Sequence, residues 1–325
     1  MNYHRLKLRA QNLLLTIKGY SFIPKRANKK AVIIIMFDNK MQHGGLLDRI
    51  KGIVSTKMIA DELQYDFKIY VNKQTFNLFK FLGLKNLNIA AQKEELAYNI
   101  WTSKPVSFYN ALNVTKEEVL NLFKNKRKQY HFYCNVDLHK AFYPTLTQEQ
   151  LNKKWRHYFN QIFCFDDYFI NAKQQLLNSK YITGFHLRFL SLLGDKTEGN
   201  NVLPEHQKAA LVQACMQHLQ AIINSSNADK FLIVSDSSVF LKQLKNSTLF
   251  QANNIIILEG SIAHIDFVHD EAVLQKAILD FYLLSQCAIV HQIVGDRMYN
   301  SQFCRYAAIL GNAQYVVHKL KDKTM

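Results

Sequence analysis

His186-Leu187-Arg188 closes a strand-like run, 182–189, and the two-residue period of a strand puts His186 and Arg188 on one face. An arginine at a strand end offers a planar fork of donors that grips a diphosphate. Such charge-assisted bonds are about twice as strong as neutral ones. His186 can hydrogen-bond a phosphate or position the arginine, and a structural histidine beside a surface arginine fits the same triplet. The next strand runs into Ser235-Asp236-Ser237-Ser238. Asp236 can accept bonds from a guanine base or a ribose, while Ser237 or Ser238 equally suits a helix N-cap.

Asp280 interrupts an apolar helical run, and a buried acid needs a partner, either within the fold or in a ligand. Ser301 and Gln302 open a helix, where free N–H groups and the helix dipole favour a phosphate, and Arg305 follows one turn later. Gly44 and Gly45 lie in a loop between a strand and a helix. Asp195 and Glu198 follow a glycine; each can remove a proton from a hydroxyl within reach, and each also suits a solvated loop.

The elements that must hold these residues alternate. An apolar run, 31–37, leads through the glycine loop into a helical pattern, 46–63, and a strand, 67–71, which is the order of a parallel βαβ unit. The middle reads as helices 116–123 and 148–163 around a strand, 130–136, and its Tyr, Phe, Trp and Lys content suits a carbohydrate acceptor. From 180 onward strands 182–189, 231–235, 255–258, 288–291 and 315–317 alternate with helices 204–223, 239–244, 273–284 and 301–310. The expectation is an α/β chain with a basic arm (1–30), an acceptor-side domain (31–179) and a Rossmann-like domain (180–325). In doubly wound sheets ligands sit beyond the carboxyl ends of the strands, where the residues above fall.

The net charge of +16 is uneven: the first thirty residues carry eight Lys or Arg and no acid, interleaved with leucines. That arm suits an anionic membrane surface, where each Lys or Arg contributes about 1 kcal/mol, and it also suits a solvated basic end. No stretch is long and apolar enough to span a bilayer. Basic clusters near aromatics, 124–128 and 153–156, raise nucleic acid as a partner. The absence of zinc spacing, of an aromatic RNA-binding signature and of a sustained basic helix argues against it. Five scattered cysteines without a CxxC pair read as reduced core residues, which favours the cytoplasm, with peripheral contact at the inner membrane face.

The order of motifs between Tyr181 and about Gly311 resembles the fucosyltransferase superfamily, which includes α-1,6-, α-1,2-, nodulation-factor and protein O-fucosyltransferases. Its His-x-Arg motif is similar to His186-Leu187-Arg188, and its strand ending in Thr-Asp-Asp to Ser235-Asp236-Ser237. Its helix with Asp before Leu-Leu-Ser is similar to Asp280–Ser285, and its Ser-Gln-x-x-Arg helix to Ser301–Arg305. Gly44-Gly45-Leu46-Leu47-Asp48-Arg49 resembles its first glycine loop more loosely. Two features depart from the pattern. Phe189 stands where many members have a second arginine, and Leu190 to Leu193 replace a frequent Thr-Asp-Lys.

The resemblance implies a GT-B fold of two facing Rossmann-like domains and a metal-independent, inverting transfer of L-fucose from GDP-fucose to a glycan hydroxyl. It implies that Arg188 holds the β-phosphate with His186 in support, and that Asp236 and Asp280 contact the nucleoside or order its pocket. Ser301, Gln302 and Arg305 would meet phosphate from the last helix, and Gly44 and Gly45 would approach the donor; the departures leave the base open, with Asp195 or Glu198 able to take that part. Synthesis of bacterial surface polysaccharide or lipopolysaccharide is the expected setting. Another nucleotide sugar, or a module that binds without turnover, is the alternative.

Overall fold

The computed structural model describes residues 3–23, 31–41, 43–72, 78–109, 113–124, 128–179, 181–195, 201–258, 260 and 270–320. The chain divides into two compact units, Met1–Cys164 and Phe165–Met325.

The first unit begins with helix α1 (Tyr3–Gly19), followed by strand β1 (Val32–Phe37), helix α2 (Leu46–Leu63) and strand β2 (Asp66–Val71). Strands β3 (Leu82–Leu84) and β4 (Ser103–Phe108), helix α3 (Lys116–Asn121) and strand β5 (Gln129–Cys134) come next. Helices α4 (His139–Phe142) and α5 (Gln148–Ile162) precede β6 (Phe163–Phe165), which runs across the division. The main sheet is four-stranded and parallel in the order β2-β1-β5-β4.

Strand β1 is apolar throughout and buried at every residue, as an interior strand of a sheet covered on both faces must be. Gly52 of α2 is forced by packing. A Cβ there would lie 2.0 Å from the Cys134 carbonyl oxygen of β5, so only glycine lets helix and strand approach so closely. Strand β4 was not legible as a strand because it contains Pro105; its place at the sheet edge tolerates the missing donor. The expected arm is tied to this unit. Leu15 is buried in a cluster with Val32, Ile34 and Met36, and Asn12 Oδ1 accepts the Ser107 N–H at 2.6 Å.

The second unit contains α6 (Asp167–Leu176), β7 (Ile182–Leu187), α7 (Glu205–Ser225), β8 (Lys230–Ser235), α8 (Ser238–Lys245) and α9 (Thr248–Ala252). It continues with β9 (Ile255–Ile257), α10 (Glu271–Ser285), β10 (Ile289–Val294), α11 (Phe303–Gly311) and β11 (Gln314–Lys319). Its sheet is parallel in the order β11-β10-β7-β8-β9. The boundary expected at 179/180 falls instead at 164/165, because Phe165 and Phe169 lie against Tyr282 of α10, with ring centroids 4.5 and 6.1 Å away.

Four cysteines, Cys134, Cys215, Cys287 and Cys304, are buried, and burial pushes each thiol up to about 12. Cys164 departs from the expected core placement and is exposed.

Candidate functional site

Strand β7 is central in the second sheet and ends one residue before Arg188. The chain turns there because Asp236, one residue past the neighbouring β8, accepts the Phe189 N–H at 2.7 Å and the Leu190 N–H at 3.1 Å. Leu190 takes a left-handed φ of 52°, which ends the strand two residues earlier than its sequence suggests. Asp236 therefore shapes the backbone that presents Arg188.

Arg188 lies beside that carboxylate, Nε to Oδ2 at 3.7 Å, too far for a hydrogen bond. Its guanidinium carbon sits 4.9 Å from the centre of the Tyr299 ring, and its side chain is 23% exposed. Its Nε has no hydrogen-bond partner among the described residues. His186, on the same face of β7, is buried and stacked on Phe303 of α11 at 5.6 Å, and its Nδ1 is also without a partner among them. Burial, and then the Arg188 charge, hold its pKa down at about 3, so the imidazole is neutral. A strand end is left with two unused nitrogens, one of them on a fixed positive charge.

The segment before α11 is joined to this strand end. The Tyr299 N–H donates to the Arg188 carbonyl at 3.2 Å, and Gln292 of β10 donates from Nε2 to the Ser301 carbonyl at 2.9 Å. Ser301 is buried and its Oγ accepts the Phe303 N–H, so Ser301 and Gln302 form the cap of α11 rather than its first turn. Gln302 makes no side-chain cap bond; its Oε1 accepts from Arg305 Nη1 at 3.1 Å. Tyr299 and Gln292, which knit Arg188 to the α11 cap, were not singled out from sequence. Tyr299 sits only two residues before Ser301, but an exposed tyrosine in a loop gives no signal of its own.

Asp195 and Asp280 are each paired through one carboxylate oxygen, while Oδ1 of both has no hydrogen-bond partner among the described residues. Asp195 Oδ2 accepts from Ser237 Oγ, Ser238 Oγ and the Val239 N–H at 2.8, 3.1 and 3.0 Å, capping α8 from a separate loop. Ser237 also accepts the Phe240 N–H, which bears out the capping reading of that serine. Asp280 is buried and takes the Lys276 ammonium at 2.7 Å. Burial raises its pKa and Lys276 opposes the rise. The i, i+4 spacing of Lys276 and Asp280 is a pairing that the sequence displays. Glu198 lies outside the described residues.

In the first unit Gly44 has φ 75°, which suits glycine, and Gly45 is the N-cap of α2 without a side-chain cap bond. The Gly44 carbonyl accepts from Arg49 Nε at 3.1 Å. Beside this loop, at the carboxyl end of β1, Asp38 Oδ2 accepts from Tyr133 at 2.9 Å and from Tyr98 at 3.3 Å. Lys40 Nζ lies 3.5 Å from the centre of the Tyr98 ring. Beneath it Tyr20 and His131 share a 2.6 Å hydrogen bond.

No family model matches the chain, and no curated protein does either. Solved structures do. The fucosyltransferase NodZ from Bradyrhizobium is similar over 87% of this chain and 94% of its own, at 17% identity and a TM-score of 0.52. NodZ alpha-1,6-fucosyltransferase co-crystallised with GDP is similar over 87% and 93%, at 16% identity and the same score. NodZ alpha-1,6-fucosyltransferase soaked with GDP-fucose matches with a score of 0.51. At these identities the likeness is one of fold: the chain has the α/β, GT-B-like fold of those fucosyltransferases, as its motif order implies.

Proposed function

We propose that the chain is a glycosyltransferase that takes L-fucose from GDP-fucose and passes it to a glycan hydroxyl with inversion at the anomeric carbon. The observation that carries this reading is Arg188, a guanidinium at the end of a central parallel strand whose Nε has no hydrogen-bond partner among the described residues, joined through Tyr299 to the cap of α11. Its support is the order of motifs and the fold shared with a fucosyltransferase crystallised with GDP. In this reading the acceptor oxygen bonds to the anomeric carbon as the bond from that carbon to the β-phosphate oxygen breaks. The electron pair stays on the diphosphate, where Arg188, a neutral His186 and the α11 cap stabilise it without a metal ion. The hydroxyl proton goes to a carboxylate. Asp195, whose Oδ2 caps α8 and whose Oδ1 has no hydrogen-bond partner among the described residues, or Glu198 takes it. The Asp38 and glycine-loop region belongs to the acceptor side.

A cytoplasmic enzyme of bacterial surface polysaccharide or lipopolysaccharide synthesis fits this chemistry. Among the described residues no helix is long and apolar enough to cross a membrane. The test is a panel of GDP- and UDP-sugars with release of the nucleotide assayed. GDP release from GDP-fucose above all other donors is the expected result, and preference for another donor overturns the choice of fucose. The use of Asp195 Oδ2 as a cap for α8 favours a second reading, a module that binds GDP without turnover; GDP binding with no release from any donor would establish it.

A further inference from the structure

Among its described side chains, helix α1 packs on the first unit through one side. Leu15 is buried, and Asn12 and Gln11 bond to Ser107 of β4. On the other side Leu13, Leu14 and Ile17 are 61%, 54% and 61% exposed. At about 100° per residue, Ala10, Leu13, Leu14 and Ile17 cover roughly a third of the helix circumference, with exposed Arg9 and Lys18 on its two borders. A second apolar feature follows the helix. Phe22 and Ile23 are 63% and 71% exposed, and Trp101, from the turn before β4, is 58% exposed. These three are built into place. Trp101 Nε1 donates to the Phe22 carbonyl at 2.9 Å, the Asn99 amide donates to the Ile23 carbonyl, and Ser21 pairs with Asn99. Hydrogen bonds from a loop 76 to 79 residues away hold large apolar side chains in water, a costly arrangement for a surface that covers nothing.

We propose that the outer face of α1 and the Phe22, Ile23 and Trp101 tip seat the protein on an anionic lipid bilayer, lying in the interface without spanning it. Charge decides the occupant. The first thirty residues carry eight cations and no acid, so a second copy would bring like charges together, whereas an anionic leaflet neutralises them. A cation-bordered apolar stripe with an aromatic tip is the composition that buries to headgroup depth. The inference adds a partner to the transferase reading but uses none of the Arg188 residues, and its test has no catalytic readout, so either can fail alone.

The chain has two tryptophans, and Trp155 is only 1% exposed, so a change in tryptophan environment reports Trp101. Vesicles of phosphatidylcholine alone are compared with vesicles that also contain phosphatidylglycerol. The protein should sediment only with the mixed vesicles, with a blue-shifted emission that acrylamide no longer quenches. Arg9→Gln with Lys18→Gln should weaken binding roughly thirtyfold. Leu13→Ser with Ile17→Ser should weaken it at least about tenfold, with the far-ultraviolet circular dichroism unchanged because both side chains are exposed. No binding, equal binding to neutral vesicles, binding without a blue shift, or self-association through these residues in the absence of lipid would each overturn the proposal.

Discussion

Both parallel sheets place an acid one residue beyond an interior strand, Asp38 after β1 and Asp236 after β8, and the two sheets use that acid differently. Asp38 takes two tyrosine hydroxyls on Oδ2 and, among the described residues, only the nearby Lys40 N–H on Oδ1, and its side chain is 4% exposed. Lys40, the cation nearest to it, rests on the Tyr98 ring. That group of side chains is satisfied internally. Asp236 instead takes two backbone N–H groups and turns the chain so that Arg188 stands partly exposed with an unused donor. An acid at a strand end is therefore no mark of a ligand site by itself. A cation that the fold positions and leaves incompletely bonded is the better mark, because a buried donor without a partner costs about 1–3 kcal/mol unless something arrives to meet it.

The largest effect expected is on stability in acid, and both units carry it. His43 and His131 in the first unit and His186 in the second are each held down at about 3, first by burial and then by Arg49, Lys40 and Arg188 respectively. His291 in the second unit is held down to about 4 by burial and then by His318 and His218, and burial lowers His318 as well. The unfolded chain takes up these protons near pH 6.5 and the folded chain does not. Stability is thus full above 6.5 and falls as pH drops from there towards 3. At pH 5.5 each of the three most buried groups costs about 1.4 kcal/mol, roughly 4 kcal/mol together, and His291, which is more open to solvent, adds a smaller amount to the second unit. Both tryptophans lie in the first unit. In urea the tryptophan transition and the loss of helical circular dichroism should therefore both move to lower denaturant between pH 7.5 and pH 5.5. A tryptophan transition that stayed in place while the circular dichroism moved would confine the effect to the second unit.

Next in size is Arg188→Ala. Loss of one preorganised donor to a leaving group typically costs 10²- to 10³-fold, about 2.7–4 kcal/mol, and the expected fall in GDP release from GDP-fucose is of that order with the fold intact. Activity within about threefold of the unaltered chain would place Arg188 with Lys40, as a structural cation, and erase the contrast between the sheets.

The residues on the two sides of this comparison were not equally legible. The all-apolar β1, the helix pattern of α2 and the alternation after residue 180 follow from periodicity, and His186 and Arg188 follow from their place at a strand end. The role of Asp236 does not. It depends on β8 lying beside β7, which brings Asp236 to backbone groups 46 and 47 residues earlier in the chain. Asp195 is hidden for the same reason, since its three donors lie 42 to 44 residues later. Local pattern shows which residues stand at the sheet edge. Whether ligand or backbone uses them is decided by contacts between strands distant in sequence.

Asp236→Asn sharpens that point. The amide keeps one acceptor for two backbone N–H groups and removes the charge beside Arg188, so a loss of about 1–3 kcal/mol in denaturant stability is expected. A nucleotide-contacting acid would behave in the opposite way, with GDP affinity falling and the urea midpoint unchanged.

The smallest effect should come from Asp38→Asn. With the asparagine oxygen in the place of Oδ2 both tyrosine hydroxyls keep their acceptor, and the exposed Lys40 N–H, which now faces the amide nitrogen, turns to water. What is lost is the charge assistance of the carboxylate, about 1 kcal/mol against a neutral bond. Burial raises the phenol pKa of Tyr133 and of Tyr98, with Asp38 adding to both, so the tyrosines stay neutral in the variant and no new charge offsets the loss. A urea midpoint shifted by that amount, with GDP release unchanged, keeps Asp38 as a brace for the first sheet. A fall in GDP release without a fall in stability would move it to the acceptor, and the first sheet edge would then be as functional as the second.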